Sequence, residues 1–375
     1  MVGGMSAAGL YVHFPFCRTK CPYCHFASGP GDGARIGLWR SGLEIELDGA
    51  TPRRQAIDTL YVGGGTPSLM EPDMILELAA RIRRLPGADL REFTLEVNPG
   101  RIDRLRLAAW KEAGVSRLSL GVQSFEDRLL RVLGRDHTAS EALAFYDACR
   151  GAGFEDIGID LMIGLPGEGR QRPAEILDNV RRLGPDHVSV YILEETAGLP
   201  IASALDADPP DEDAVAAAYE DIGRGLKELG YEHYEISNYA RPGRRCLHNL
   251  KYWRSEPFIG VGPSACSRIS GERWCNREDL EGWARALRAG EDPRAEVVRL
   301  DPVRLASEAL IFGLRLREGV RTSDLRTRIG VDVRELFDQT IAELAAEGWL
   351  ETEGDRLAIP EERWLLSNQV FSKFA

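Results

Sequence analysis

The chain has 375 residues, of which 43% are hydrophobic and 28% are charged, as is typical of a soluble globular protein with two or three domains. Its 47 Lys and Arg residues against 59 Asp and Glu residues give a net charge of −12, which disfavours a general nucleic-acid-binding surface. No apolar run reaches the ~20 residues that a membrane-spanning helix needs, and the first residues lack the pattern of a secretory signal. We therefore expect a cytoplasmic protein with no nucleic-acid partner and no stable membrane span.

Six apolar runs predict buried strands in the first half of the chain. They are rich in Val, Ile, Leu and Tyr and show little polar alternation, which is typical of parallel strands covered on both faces. Helices are predicted between them, for example at 71–84 and at 103–113, where Gly114 stands at the expected helix C-cap. The predicted strands are 9–14, 58–62, 92–97, 117–121, 157–163 and 187–192. This α/β pattern predicts a parallel sheet, which could be a barrel with an apolar interior or, equally, a doubly wound sheet.

The sequence pattern changes twice along the chain, which predicts three domains. A loop at 196–212 and a helix at 213–229 lead into an irregular region that ends near 295. The last part contains helical patterns and a short hairpin near 349–359, the make-up of a winged-helix-like module that is rich in acidic residues and therefore a poor candidate for DNA binding. The predicted domains are 1–200, 201–300 and 301–375.

Three cysteines follow the first predicted strand in a C-x3-C-x2-C spacing: Cys17, Cys21 and Cys24. Thiolates this close together suit one compact inorganic centre, and seven cysteines in all suit a reducing compartment better than a disulfide framework. An iron–sulfur cluster usually takes four Cys ligands. Phe26 stands where a fourth Cys could follow, so a 4Fe-4S cluster held here would keep one iron open to a small molecule.

A zinc site is the alternative interpretation of the same three cysteines, with His25 or His13 as a fourth ligand. A zinc ribbon pairs two short Cys motifs, and no second C-x2-C motif occurs in the chain. The sequence therefore favours the cluster over zinc.

A run of three glycines, Gly63 to Gly65, ends the second predicted strand and is followed by Thr66. Glycines let the backbone approach a ligand closely, and the run is not a phosphate loop because no Gly-Lys-Ser/Thr follows it. The run alone would also fit a tight turn. At the C-terminal edge of parallel strands, where barrels hold their sites, it predicts a ligand contact.

These motifs resemble the radical SAM superfamily, and within it the branch of oxygen-independent coproporphyrinogen III dehydrogenases and HemW-type heme chaperones. The dehydrogenases carry a further Cys two residues after the triad, where this chain has Phe26, as the chaperone group does. The resemblance spans almost the whole chain and rests on LYVHFPFCRTKCPYCHF (10–26), YVGGGTPS (61–68), LEVNP (95–99), RLSLGVQSF (117–125), IDLMIGLPG (159–167), YEISNYA (234–240) and CLHNLKYW (246–253).

The resemblance implies a partial (β/α)6 TIM-type barrel with a C-terminal winged-helix-like domain. It implies a 4Fe-4S cluster on Cys17, Cys21 and Cys24, and S-adenosylmethionine (SAM) that is cleaved reductively to methionine and a 5′-deoxyadenosyl radical. No catalytic residue beyond the cluster ligands is assigned. The SAM contacts that it implies are Tyr11, Gly63, Gly64, Gly65, Thr66, Glu96, Gln123, Arg135 and Asp160. From the residues alone, buried carboxylates such as Glu96 could equally be satisfied by neighbouring loops.

The segment CLHNLKYW resembles a signature tied to heme handling. His248 and Cys246 are therefore the candidate heme ligands, since His and Cys both ligate heme iron. Taken alone, a His among aromatic residues is more often a hydrogen-bonded core residue. The resemblance implies a heme chaperone without dehydrogenase activity, which passes heme to apo-haemoproteins such as respiratory enzymes. An electron donor, a second copy of the chain and the inner face of the membrane are further candidate partners.

Two other functions stay open, both enzymatic: a coproporphyrinogen III dehydrogenase and a radical SAM methyltransferase acting on heme or another small molecule. One departure concerns Cys266, which stands where relatives usually have a His, and which we expect to be a soft ligand or a buried inert thiol. Cys246, Cys266 and Cys275 could hold an auxiliary cluster, although their spacing is wide. Cys149 is expected in the core.

Overall fold

A computed structural model describes residues 7–49, 55–167, 172–194 and 198–375, and a twelve-stranded sheet dominates it. The strands follow one another across this sheet in the order β12-β11-β10-β9-β1-β2-β3-β4-β5-β6-β8-β7. Their bounds are β1 (Ala8–Phe14), β2 (Ile57–Gly64), β3 (Ala88–Val97), β4 (Arg117–Gln123), β5 (Asp156–Ile163), β6 (His187–Ile192), β7 (Glu232–Glu235), β8 (Asn238–Ala240), β9 (Phe258–Val261), β10 (Cys266–Ile269), β11 (Glu272–Asn276) and β12 (Arg294–Arg299).

The six strands predicted from apolar runs, β1 to β6, are all present and run parallel in sequential order. Their outward side chains, among them Leu10, Leu60 and Leu118, are fully buried beneath the crossover helices. Burying apolar surface on both faces is what favours a parallel sheet for such strands. The architecture is the partial (β/α)6 barrel, and the doubly wound alternative is set aside.

The helices begin and end at residues suited to those positions. Asp103 accepts hydrogen bonds from the N–H groups of Leu105 and Arg106, and Gly114 ends the same helix with a left-handed φ of 83°. The helices are α1 (Gly33–Leu47), α2 (Pro72–Arg83), α3 (Arg104–Ala113), α4 (Asp127–Val132), α5 (Ala139–Gly151), α6 (Arg172–Leu183), α7 (Ala202–Ala207), α8 (Glu212–Glu228), α9 (Leu247–Trp253), α10 (Leu280–Ala289), α11 (Pro302–Gly313), α12 (Thr322–Ile329), α13 (Val333–Ala346) and α14 (Asn368–Phe371). Within the described ranges, no helix is long and apolar enough to cross a membrane.

Two details of the sequence interpretation are corrected in the region 196–300. The stretch 196–212, predicted as a loop, contains the short helix α7. The stretch predicted as irregular forms β7–β12, which lengthen the sheet at both edges. β9 pairs in parallel with β1, and β10, β11 and β12 continue antiparallel beyond it. The barrel sheet and this region therefore share one sheet.

The C-terminal residues pack around a separate hydrophobic core that includes Leu310, Val333, Leu357 and Trp364. α11–α13 and a small sheet of β13 (Val320–Arg321), β15 (Arg356–Ala358) and β14 (Glu351–Glu353) form the winged-helix-like module, with the predicted hairpin in place. The module adjoins β7, because the N–H of Arg317 donates to the carbonyl of Tyr234 at 3.0 Å.

Candidate functional site

The loop that carries the three cysteines is closed at its base by backbone hydrogen bonds. The N–H of Cys17 donates to the carbonyl of Gly29 at 2.9 Å, and the N–H of Gly29 donates to the carbonyl of Pro15 at 3.0 Å. Cys17, Cys21 and Cys24 are all free thiols of intermediate exposure. The structure therefore presents the predicted ligands on one short loop at the C-terminal end of β1.

The glycine run lies directly against this loop. The N–H groups of Gly65 and Thr66 donate to the carbonyls of Phe14 and Phe16 at 2.7 and 2.8 Å. A Cβ on Gly65 would lie 2.5 Å from the Phe16 carbonyl oxygen, and Gly64 has a φ of +114°. These positions require glycine, so the GGG run is built for a close backbone approach between the second strand and the cysteine loop.

Arg135 joins the cysteine loop to the ends of β3 and β4. Its guanidinium donates to Asn98 Oδ1 at 2.8 Å and to the Gly121 carbonyl at 2.7 Å, while Nη1 lies 3.7 Å from Cys21 Sγ. The positive charge of Arg135 beside this sulfur would suit an anionic group bound to it. The donor set of three soft sulfurs with an adjacent arginine fits an anionic iron–sulfur cluster.

The two histidines near the loop do not support the zinc alternative, in which one of them would be the fourth ligand. His13 lies 3.0 Å from the Tyr11 hydroxyl through Nδ1 and 2.9 Å from the Ala27 carbonyl through Nε2, so both ring nitrogens are engaged. His25 is exposed on the loop.

The inward side chains of the barrel strands are polar, so the expected apolar interior is wrong. Tyr61 donates to Glu96 Oε1 at 2.8 Å, and the N–H of Gly64 donates to Glu96 Oε2 at 3.1 Å. Ser119 and Ser189 donate to the Asp160 carboxylate at 3.1 and 2.7 Å. The hydrogen bonds satisfy both carboxylates, as burial requires. Burial nevertheless raises the pKa of Glu96 to about 7, although the hydrogen bond from Tyr61 opposes that shift.

Residues from two separate sequence motifs line one cavity of about 210 Å³. Tyr11, Gly64 and Glu96 come from the SAM set, and His248 and Tyr252 come from the CLHNLKYW segment. Phe26, Tyr61 and Asn249 complete the lining. Phe26 is 56% exposed, so the residue that stands in place of a fourth Cys lies at the boundary between this cavity and solvent.

The other residues of the SAM set lie around the same C-terminal edge of the sheet. Thr66 and Arg135 line a neighbouring cavity of about 700 Å³ that also borders Cys21. Gln123 ends β4 with a positive φ of 64°, which is uncommon for a residue with a side chain and recurs at functional sites. Gly63 packs against Glu96, whose carboxyl carbon would lie 3.0 Å from a Cβ added there.

The helix α9 places His248 and Cys246 in closed surroundings. Both residues are 0% exposed. His248 Nδ1 lies 2.9 Å from Thr59 Oγ1, and Nε2 lies 2.8 Å from the Tyr252 hydroxyl. Burial lowers the pKa of His248 to about 3, so the imidazole is neutral. In this arrangement neither ring nitrogen is open to an iron atom.

Glu92 anchors the start of α9 and was missed by the sequence interpretation. It accepts hydrogen bonds from the N–H groups of Leu247 and His248 at 2.7 and 3.0 Å, and Cys246 Sγ lies 3.5 Å from its carboxylate. Burial, followed by the Glu92 charge, raises the pKa of Cys246 to about 12. Glu92 precedes the LEVNP motif by only three residues, but its partners lie more than 150 positions further on, which no local pattern reveals.

The remaining cysteines do not form an auxiliary site. Cys266 and Cys275 are joined by a disulfide between β10 and β11, and Cys246 lies in the barrel. Cys266 is exposed and disulfide-bonded, so the expectation of a buried inert thiol is wrong. Cys149 is buried in the core, as predicted.

Comparisons with known proteins agree with this geometry. The model of the radical SAM superfamily matches residues 11–180, and that of the HemN C-terminal domain matches residues 300–366. The chain is 30% identical to the heme chaperone HemW of Bacillus subtilis (strain 168), covering 97% of this chain and 98% of the relative. It is 33% identical to the heme chaperone HemW of Mycobacterium tuberculosis (strain H37Rv), covering 96% and 93%.

A solved structure shows the same fold. Coproporphyrinogen III oxidase (HemN) from Escherichia coli, described as a radical SAM enzyme, superposes with a TM-score of 0.85 at 22% identity, covering 99% of this chain and 90% of that one. The cysteine loop, the glycine run and the full-length similarity lead to one assignment: this chain belongs to the HemW family of the radical SAM superfamily.

Proposed function

We propose that the chain binds heme and delivers it to apo-haemoproteins, among which respiratory enzymes are the candidate recipients. Relatives named heme chaperone match it over nearly their whole length. The observation that carries the proposal is the position of Phe26. Phe26 lines the same cavity as His248 and Tyr252 of the CLHNLKYW segment. At the sequence position of Phe26, the dehydrogenase branch has a further Cys.

The cofactors of this function are a 4Fe-4S cluster and SAM. Cys17, Cys21 and Cys24 would hold the cluster, which supplies one-electron reduction and an open iron for SAM. Arg135 keeps the loop against the strand ends through Asn98. The residues proposed to hold SAM are Tyr11, Gly63, Gly64, Gly65, Thr66, Glu96, Gln123, Arg135 and Asp160.

His248 and Cys246 stay predictions as heme ligands. For His248 to reach iron, its hydrogen bonds to Thr59 or Tyr252 must first break. For Cys246, the thiol must leave the Glu92 carboxylate. Either ligation therefore requires the side chains around α9 to rearrange.

The cellular setting is part of the proposal. The reductive chemistry of the cluster suits the cytoplasm, with the inner face of the membrane as the place where respiratory recipients would be met. An electron donor must reach the cysteine loop. A homodimer is the candidate assembly.

The test is an anaerobic reconstitution followed by titration with heme and incubation with an apo-haemoprotein. We expect a Soret band that saturates with heme and then passes to the recipient. Conversion of coproporphyrinogen III by the reduced protein would support the dehydrogenase instead. Methylated product with S-adenosylhomocysteine would support a methyltransferase. No heme uptake would reject the proposal.

A further inference from the structure

The disulfide between Cys266 and Cys275 lies outside both cavities of the candidate site. The two residues stand directly opposite each other in the antiparallel register of β10 and β11. Cys266 is exposed and Cys275 is partly exposed. In the proposed cytoplasmic setting thiols are kept reduced, and the disulfides that form there are usually transient, catalytic or redox-sensing. This disulfide therefore needs an explanation other than a secreted fold.

The hairpin of β10 and β11 is closed without the crosslink. Ser270 and Gly271 form the turn between the strands and have positive φ values of 50° and 78°, as a type I′ hairpin turn requires. Beyond the hairpin, β10 pairs with β9 and β11 pairs with β12. A disulfide stabilises a fold mainly by closing a loop in the unfolded chain, and it contributes least when that loop is short, as it is for a separation of 9 residues. A structural crosslink is therefore a weak explanation for the bond.

The buried face of the hairpin is also held without the sulfur atoms. The N–H of Gly260 on β9 donates to Ser267 Oγ at 2.9 Å. Asn276 Nδ2 donates to Glu46 Oε1 of α1 at 2.6 Å and to the Gly262 carbonyl at 2.8 Å. The two cysteines point to the opposite face of their strands, because side chains alternate along a strand. Opening the disulfide thus breaks none of these contacts.

The face that carries the cysteines meets the C-terminal module and is rich in arginine. Arg268 and Arg273 stand opposite each other two positions closer to the turn, on the face of the disulfide. Arg268 Nε and Arg273 Nη1 each lie 3.4 Å from the Glu308 carboxylate of α11. Arg277, two residues after Cys275, is exposed. Glu308 balances one of these three charges, so the surroundings of the disulfide suit a small reagent that carries negative charge.

We propose that Cys266 and Cys275 are a reversible redox modification site, which a small anionic thiol opens and the corresponding small disulfide closes. Glutathione, with two carboxylates and one ammonium group, represents this chemical class. The site is independent of the proposed heme function. It lies where the sheet contacts the C-terminal module through Glu308.

Opening begins when the thiolate of the small thiol attacks Sγ of Cys266, the more exposed sulfur. A new S–S bond forms, the old one breaks, and Cys275 leaves with the electron pair and takes up a proton. A second small thiolate attacks the small-thiol sulfur of this mixed disulfide and releases Cys266 in the same way. In total the protein disulfide gains two electrons and two protons, and two small thiols become one small disulfide. Closing is the reverse sequence.

The experiment is an anaerobic equilibration of the full-length, cluster-loaded protein in buffers with different ratios of reduced to oxidised glutathione. Alkylation of free thiols and peptide mass mapping then give the redox state of each cysteine. We expect the pair to pass from fully oxidised to fully reduced and to reach the same state from both directions. Cys149, which is buried in the core, is the internal control and should remain a free thiol throughout.

Two single variants identify the sulfur that is attacked. Cys275→Ser should accumulate a mixed disulfide with glutathione at Cys266, because no second thiol can resolve it. Cys266→Ser should form the corresponding mixed disulfide at Cys275 more slowly, because that residue is less exposed. The double variant Cys266→Ser/Cys275→Ser should show the circular dichroism and cluster content of the wild type, since the pairing of β10 and β11 does not depend on the bond.

A charge variant tests the class of reagent. Arg273→Gln/Arg277→Gln should slow opening by glutathione about threefold or more and leave opening by the neutral thiol 2-mercaptoethanol unchanged. The matched control Arg181→Gln/Arg182→Gln, on α6, should react with both thiols as the wild type does. An equal effect on both thiols would overturn the choice of an anionic reagent.

A pair that stays oxidised in reduced glutathione, or that stays reduced in oxidised glutathione, would overturn the proposal. Loss of the folded state on reduction, or in the double cysteine variant, would overturn it as well and make the disulfide a structural crosslink. Heme binding is not read in any of these arms, so their outcome is separate from that of the proposed function.

Discussion

The Glu92 carboxylate on β3 accepts a hydrogen bond from the backbone N–H of His248 at 3.0 Å. This bond fixes the start of α9, the helix of the CLHNLKYW segment. The same carboxylate accepts the N–H of Leu247, and Glu92 is only 6% exposed. A side chain satisfies two N–H groups at the start of α9 that no helical carbonyl can reach. The position of His248 beneath the cavity thus depends on a residue in the sheet.

Replacing Glu92 with Gln should lower the free energy of unfolding by about 2–4 kcal/mol, because one buried N–H loses its acceptor and the charge-assisted bonds weaken. Urea unfolding checks this. The control Glu112→Gln alters an exposed residue and should stay within about 0.5 kcal/mol of the wild type. A Glu92→Gln change as small as the control's would show that the cap is not needed.

Glu96 should make stability depend on pH around neutrality. Its pKa is raised by burial from 4.5 to about 7, so the folded state binds the proton more tightly than the unfolded state. That stabilisation is fully present below about pH 4.5 and is lost as the pH rises through about 7. Glu96→Gln cannot ionise, so its stability relative to the wild type should rise by ~1–3 kcal/mol between pH 5 and pH 8.5.

Unfolding curves of the Glu96→Gln and wild-type proteins at the two pH values measure that difference. Any constant effect of the substitution cancels when the two pH values are compared. A difference that is the same at both would mean that Glu96 titrates normally in the folded protein.

Gly65→Ala should displace the cysteine loop, because the new Cβ would lie 2.5 Å from the Phe16 carbonyl oxygen. We expect a cost of ~1–3 kcal/mol and a lower yield of reconstituted cluster. Gly37 lies in α1 with no atom near its hypothetical Cβ, so Gly37→Ala should leave cluster content unchanged and add up to about 1 kcal/mol of stability. Equal cluster content in the two variants would show that the glycine run does not position the cysteine loop.

The strands β1 to β6 could be predicted because parallel strands that are buried on both faces have mostly apolar sequences. β12 could not, since no residue of its sequence RAEVVR is buried and it forms an edge strand by pairing with β11. The polar barrel interior could have been predicted in principle, because the polar residues Ser119, Asp160 and Ser189 interrupt the apolar runs of β4, β5 and β6. The apolar runs around them hid that signal.

At the site, the cysteine loop and the glycine run were predictable because both are contiguous motifs. The surroundings of His248 were not, since Thr59 lies 189 positions away in the sequence and Glu92 lies 156 away. A resemblance to a heme signature identifies the residue but does not show whether its ring nitrogens are open.

The cluster is the foundation of the account, and metal analysis of anaerobically reconstituted protein tests it most directly. We predict about four iron and four sulfide per chain, with absorbance near ~400 nm that is lost in Cys21→Ala and retained in Cys149→Ala. Protein that contains zinc and neither iron nor sulfide would contradict the account.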